Sequence, residues 1–492
     1  MQLKVKNSHW SAGLPVAMLN RKMAEKLGLH PGDRITISTL SKNPDQMATI
    51  LDIVEDLVED CCIAVSEEIK KRLSLREGQK VEIQFSMVPE SVQYIKEKII
   101  GKKLSHEKIK TIIQDVVNNA LSEPEVAVFI SGMYRNGMDF DETIGLIKAI
   151  LSSGKVMKFK NKVVVDKHCI GGIAGNRTTP IIVPICAAAG LTFPKTSSKA
   201  ITSAAGTADC IEVLSPIEFS MDQLTKIVKK TGGCLSWGGS LGMVPADSKI
   251  IKVEKMLKLD PEAQLLASIM SKKLAAGSNQ ILIDIPHGKK AKVSRKKAGI
   301  LKKKFERLGR HFKVNLQVIL TKAEEPIGKG IGPALEIIDV LKVLDPKKEG
   351  PKDLEEKSLY LSGLILEMTK KAKKGKGKIL AKEILDSGKA FDKFEEIIKA
   401  QKGKVYTPEL SKISHTILSG KKGKIKSIDN HLTNMLARVA GCPIDKFAGV
   451  YLYKHVGEKV AKKEPLLTIY AESKARLTEA LKFYHKNLPI KF

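Results

Sequence analysis

Between Val163 and Glu212 the sequence twice passes from an apolar or strand-like stretch through glycine and hydroxyl residues into a helical one, and this unit constrains the fold most. Val163-Val164-Val165 is a β-branched run of strand character. Asp166-Lys167-His168-Cys169-Ile170-Gly171-Gly172-Ile173-Ala174-Gly175-Asn176-Arg177-Thr178-Thr179 follows as a predicted loop, and Pro180 opens a helical run that stops at Gly190. A second segment, from Pro194 to Thr207, is again rich in Ser, Thr and Lys ahead of another predicted helix. Glycine lets backbone approach a ligand closely, and a helix N-terminus offers unpaired N–H groups to anions. The order predicts an α/β core whose turns handle phosphate.

At 492 residues the chain exceeds one ordinary core, so three or four domains are expected. Apolar residues make up 43% and hydropathy is near neutral, as in a folded soluble protein. No uninterrupted apolar run is long enough to span a bilayer, and Met1–Lys6 lacks a secretory apolar region. Seven cysteines without C-x-x-C spacing point to a reducing cytoplasm, with no membrane partner expected. Ten scattered histidines form no ligand pattern, so no metal and no other cofactor is expected.

Lys and Arg number 84 against 54 acidic residues, a net charge of +30. Such an excess fits either a polyanion-binding surface or solvated lysine-rich faces. Runs such as Lys302-Lys303-Lys304 and Lys370-Lys371 lie among helical apolar residues without aromatics for base stacking, and aromatics total 5%. The solvated reading is preferred and no nucleic-acid partner is expected. A basic nucleic-acid-binding protein without catalysis remains the alternative from another class.

The first 86 residues carry an internal repeat. Leu27-Gly28-Leu29-His30-Pro31-Gly32-Asp33 before Ile35-Thr36-Ile37 parallels Leu73-Ser74-Leu75-Arg76-Glu77-Gly78-Gln79 before Val81-Glu82-Ile83. Each copy reads as a helix, a turn and an alternating strand, which predicts a pseudo-symmetric β-barrel-like domain. An all-α domain is expected from 91–158 plus 247–276. A large α/β domain with a mixed sheet is expected from 161–246 plus 277–400. A C-terminal α+β lobe is expected over 406–492.

Asp166-Lys167-His168-Cys169-x-Gly171-Gly172, with Ser197-x-Lys199 and Gly206-Thr207-Ala208-Asp209, resembles the thymidine/pyrimidine nucleoside phosphorylase family. Ala267–Gly277, Gly449–Tyr453 and Tyr470–Ser473 extend the resemblance over most of 91–492. Three features resemble its AMP phosphorylase branch: the extra N-terminal domain, the segment Lys195–Ser203, and Leu259-Asp260-Pro261-Glu262. That resemblance implies phosphorolysis of a nucleoside 5'-monophosphate (AMP, with CMP or UMP possible) to base and ribose 1,5-bisphosphate. It also implies a homodimer or larger homo-oligomer, and a substrate lying between the helical and α/β domains that close over it.

The reaction requires two anion sites. The resemblance assigns inorganic phosphate to Lys167, Cys169, Thr179, Ser197 and Thr207, with Thr179 also suited to cap the helix that Pro180 opens. Cys169 stands where the family usually carries Ser, which weakens the hydrogen bond there. AMP is assigned to Gly172, Ser198, Lys199, Ala200, Ile201, Thr202, Ser203, Thr207, Ser268, Lys272 and Lys292. Ser and Thr hydroxyls with Lys199, and no acidic residue from Ser198 to Ser203, suit a substrate that itself bears phosphate; an ordinary Ser/Thr-rich turn is the plain alternative.

The resemblance implies that Asp260 is the proton donor to the departing base, while Asp260-Pro261-Glu262 on its own reads as a helix N-cap signature. Ser268 and Lys272, four residues apart, share a helix face beside the base or simply line a solvated one. Val253 stands where the pyrimidine branch has an arginine, which fits adenine. A pyrimidine nucleoside phosphorylase is the rival within the family, and a phosphoribosyltransferase of related fold is a further one.

Overall fold

The computed structural model describes residues 1–492 except 8, 9, 12–14, 161, 162, 201, 202, 289 and 290, together with the side chain of 240. It divides into two units, Met1–Gly154 with Val244–Ser271, and Lys155–Met243 with Lys272–Phe492.

In the first unit the N-terminal repeat closes into a six-stranded barrel. Each copy supplies a helix, Arg21–Leu27 or Glu67–Leu73, ended by a left-handed residue, Gly28 or Ser74. The strands that follow, Arg34–Thr39 and Lys80–Phe85, pair antiparallel with each other. Alternation sends Ile35, Ile37, Val81 and Ile83 into the core with Leu3 and Val5. Helices Glu90–Ile99, His106–Val117, Glu123–Asn136, Phe140–Ser152 and Pro245–Leu257 form the bundle. Inside it Lys98 pairs with Glu142 at 2.8 Å, and Glu142 also accepts from the amide of Leu104. Lys249 donates to the carbonyls of Val116 and Val117, closing the end of a helix whose last carbonyls have no partner in the helix itself. Val253 is buried in this bundle.

In the second unit, strands Asn315–Lys322, Gln280–His287 and Val165–Cys169 lie side by side, all parallel. Phe193–Ser197 and Gly233–Trp237 form a second parallel pair, linked to the first group by a parallel bridge between Val164 and Thr192. This corrects the expected mixed sheet, since every pairing among the described residues of these strands is parallel. The reason is the connections: helices Thr179–Ala188, Met221–Thr231 and Arg295–His311 return the chain to the starting edge each time. Chain order runs outward from Val165–Cys169 in both directions, so the carboxyl end of that strand is a topological switch point, where open α/β sheets bind ligands.

The expected strand is also displaced. The sequence places it at Val163–Val165 and reads Asp166 onward as loop, whereas the structure places it at Val165–Cys169. Asp166 and Lys167 are strand residues that are fully buried, which is tolerated because each finds a polar partner. The C-terminal lobe packs helices Asn430–Ala440 and Lys474–Asn487 with a four-stranded antiparallel sheet, whose edge strand Gly330–Ile331 belongs to the preceding segment.

Candidate active site

Strand alternation puts Asp166 and Lys167 on opposite faces, and each meets a different polar set. Asp166 Oδ1 accepts from Lys195 Nζ at 3.1 Å and Oδ2 from Lys273 Nζ at 2.7 Å. Lys167 Nζ donates to Thr178 Oγ1 at 2.8 Å, and burial lowers its pKa to about 8. Burial likewise lowers Lys273 to about 7, against the pull of Asp166. A second buried carboxylate, Asp284, pairs with Lys357 at 3.2 Å and accepts from Thr321 Oγ1 at 2.7 Å. Three buried or nearly buried lysines thus pair with two aspartates, and Lys167 adds a fourth ammonium whose partner is a hydroxyl. His168 is held neutral by burial and by the lysines around it.

Beyond the strand, Gly171, Gly172 and Gly175 all adopt positive φ. Cys169 Sγ accepts from the Gly171 amide at 3.4 Å and from Asn176 Nδ2 at 3.3 Å, and burial pushes the thiol pKa up. A Cβ on Gly175 would stand 2.2 Å from the carbonyl oxygen of Ile327, so only glycine lets this loop pack there. At Gly172 a Cβ would stand 2.7 Å from the amide nitrogen of Lys292. The structure therefore brings Gly172 and Lys292, two residues assigned to the nucleotide, into backbone contact.

Thr179 is not the helix cap expected from the sequence. The helix runs Thr179–Ala188 with Thr178 at the N-cap, and Thr178 is also the hydroxyl that Lys167 reaches. The cap position thus sits one residue earlier, and the Thr178 side chain makes no capping hydrogen bond there. Ser197 Oγ is buried and meets no partner among the described residues.

The segment from Ser198 to Thr207 is organised by Asp209, whose Oδ2 accepts from the amides of Ala200 at 2.6 Å and Gly206 at 2.8 Å. Lys199 turns away from the lysine group, pairing with Glu212 at 3.1 Å and lying 4.8 Å over the Trp237 ring. Ser203 Oγ donates to the carbonyl of Ala205. Ile201 and Thr202 lie outside the described residues. Asp260, in the other unit, is exposed two residues before the helix Glu262–Ala275; of that helix Ser268 falls in the same unit as Asp260 and Lys272 in the second.

Several residues that sequence reasoning passed over hold these loops. Arg177 donates to Glu336, Thr207 and the carbonyl of Ala205. From the C-terminal lobe, Asn430 Oδ1 accepts from the amide of Ala174 and Asn434 Oδ1 from that of Ala204, while Arg438 donates to the carbonyl of Ser203. Only Arg177 carried a visible signal, as the one cation between Gly171 and Thr179. Among the described residues no cluster of three His, Cys, Asp or Glu is placed to hold a metal ion.

Residues 92–154 match the helical bundle domain of the glycosyl transferase family, and 161–391 match its a/b domain. Residues 424–491 match the pyrimidine nucleoside phosphorylase C-terminal domain. The AMP phosphorylase of Pyrococcus furiosus is 42% identical over 496 residues, covering 100% of this chain and 98% of its own. The chain belongs to the thymidine/pyrimidine nucleoside phosphorylase family. The AMP phosphorylase of Thermococcus sibiricus is 41% identical over 98% of the chain and 96% of its own length. A putative thymidine phosphorylase of Legionella pneumophila is 42% identical over 88% and 84%. Anthranilate phosphoribosyltransferase from Thermus thermophilus shares the fold, with a TM-score of 0.53 at 17% identity, over 63% of this phosphorylase chain and 99% of its own.

Proposed function

We propose that the protein cleaves AMP with inorganic phosphate, giving adenine and ribose 1,5-bisphosphate. One observation carries this reading: Lys167, Lys195, Lys273 and Lys357 outnumber Asp166 and Asp284 in a buried region at the switch point of the sheet. Buried ammonium groups without counter-charge tend to lose their protons, and a bound oxyanion restores the balance. Full-length similarity to proteins named AMP phosphorylase favours a nucleotide over a nucleoside.

In this mechanism a phosphate oxygen held near Lys167, Cys169, Thr179, Ser197 and Thr207 attacks C1' of the ribose. The bond from C1' to the base breaks as Asp260 gives its proton to N7 of the leaving adenine. Proton donation removes charge from the departing base and contributes ~10²–10⁴-fold. Gly172, Lys292, Ser268, Lys272 and the 198–203 segment hold the nucleotide. In this proposal the lysines neutralise phosphate without a metal or other cofactor. A cytoplasmic homo-oligomer is the expected form, in keeping with seven unpaired thiols. Measuring base release from AMP, CMP, UMP and thymidine with phosphate tests the reading; preference for thymidine would reject it.

A further inference from the structure

Arg177 is buried, 8% exposed, and the reaction just described makes no use of it. Its Nε donates to Glu336 Oε2 at 2.6 Å, its Nη1 to Thr207 Oγ1 at 3.0 Å and its Nη2 to the carbonyl of Ala205 at 3.1 Å. Glu336 is fixed in turn, with Oε1 accepting from the amide of Gly332 at 3.1 Å. One guanidinium therefore ties the helix Pro333–Leu344 to the first residue of the helix Thr207–Ile211.

The direction of the bond to Thr207 matters. A threonine hydroxyl has one hydrogen and two lone pairs, whereas guanidinium only donates. Arg177 therefore takes up a lone pair of Thr207, and the Thr207 hydrogen must go to some other acceptor. The same arrangement recurs twice nearby. Lys167 Nζ, also only a donor, meets Thr178 Oγ1, and Cys169 Sγ accepts from two N–H groups. Three side chains are thus turned into donors by a surrounding layer of donors. A ligand with acceptors on several sides would satisfy such a set, which is the chemistry of an ionised oxyanion.

We propose that Arg177, locked by Glu336, is a positioning residue that orients the Thr207 hydroxyl as a donor to inorganic phosphate. It acts through Thr207 and does not itself touch the anion. This deepens the phosphorolysis reading and rests on it for the identity of the anion.

The test compares wild type, Arg177→Lys, Thr207→Val and the double variant. Each is read by the KM for phosphate and by the thermal shift produced by inorganic phosphate alone. Losing one oriented hydrogen bond to a charged group is expected to raise the KM of Arg177→Lys about tenfold and to remove most of the phosphate-induced shift. In the Thr207→Val background the same change is expected to have less than a twofold effect. An equal loss in both backgrounds would overturn the proposal, as would a lowered melting temperature with an unchanged phosphate KM. Should Arg177→Lys not fold, Glu336→Gln must raise the phosphate KM in the same Thr207-dependent way, and an unchanged KM there rejects the idea. Wild type that phosphate stabilises but that releases no adenine from AMP would sink the proposed reaction, leaving the thermal-shift cycle to judge Arg177. Wild type that phosphate does not stabilise would sink both.

Discussion

The Lys195 ammonium lies 3.1 Å from Asp166 Oδ1 and 2.7 Å from the carbonyl oxygen of Lys167, so one side chain fixes two consecutive residues of the central strand. Lys273 holds the other oxygen of Asp166. The strand end that presents Lys167 is thereby pinned from behind.

Asp166→Ala would leave two buried ammonium groups without their carboxylate. Removing one partner of such a set typically costs about 3–5 kcal/mol. Urea unfolding of the variant is expected to show a loss of that size, and a wild-type midpoint would mean the lysines find other acceptors.

The pH dependence follows from Lys167. Its pKa of about 8 in the folded protein lies below the roughly 10.4 of an unfolded-chain lysine. Between these values the unfolded chain holds more protons, so this group makes the free protein more stable as pH rises through the window. Below about pH 8 both forms are charged and the full cost of burial is present. Phosphate binding needs the charged form, so kcat/KM for phosphate is expected to fall above about pH 8. Lys167→Arg, charged at every accessible pH, should lose that limb. A limb that persists in the arginine variant assigns it to another group.

Asp260→Asn is expected to lower kcat with AMP by ~10²–10⁴-fold while AMP affinity changes little. The exposed position of Asp260 makes this a sharp comparison. Equal turnover by the variant would leave Asp260 without a catalytic role.

Gly171→Ala and Gly175→Ala should differ. Both glycines have positive φ, but a Cβ at Gly171 meets open space, whereas at Gly175 it meets the Ile327 carbonyl. Gly171→Ala is expected to cost about 1 kcal/mol from backbone strain alone. Gly175→Ala should cost more and raise the phosphate KM as the loop is pushed off its support. Similar melting temperatures for the two would show that the loop yields.

Much of the architecture could be read from residue order. The barrel repeat announced itself through Gly28 and Ser74 at matching places, and the periodic apolar residues of the bundle and the strands near Ile281 and Val314 stand close to where they were expected. What failed did so for a physical reason. Asp166 and Lys167 read as loop because charge seldom enters a buried strand, and their partners Lys195 and Lys273 lie far along the chain. Thr178 was missed in favour of Thr179 because a cap one residue early leaves the same composition. Asn430, Asn434 and Arg438 gave no signal at all, since nothing local marks a side chain whose partner is more than two hundred residues away.

Those long separations set an order of events during synthesis. The amide of Ala174 bonds to Asn430, 256 residues later, and that of Ala204 to Asn434, 230 residues later. At about 5–20 residues per second a ribosome needs roughly 10–50 seconds to supply these partners. Through that interval the nascent loops around Ala174 and Ala204 lack their final tethers, and a chain cut before Asn430 would keep its parallel strands but not two settled turns above them.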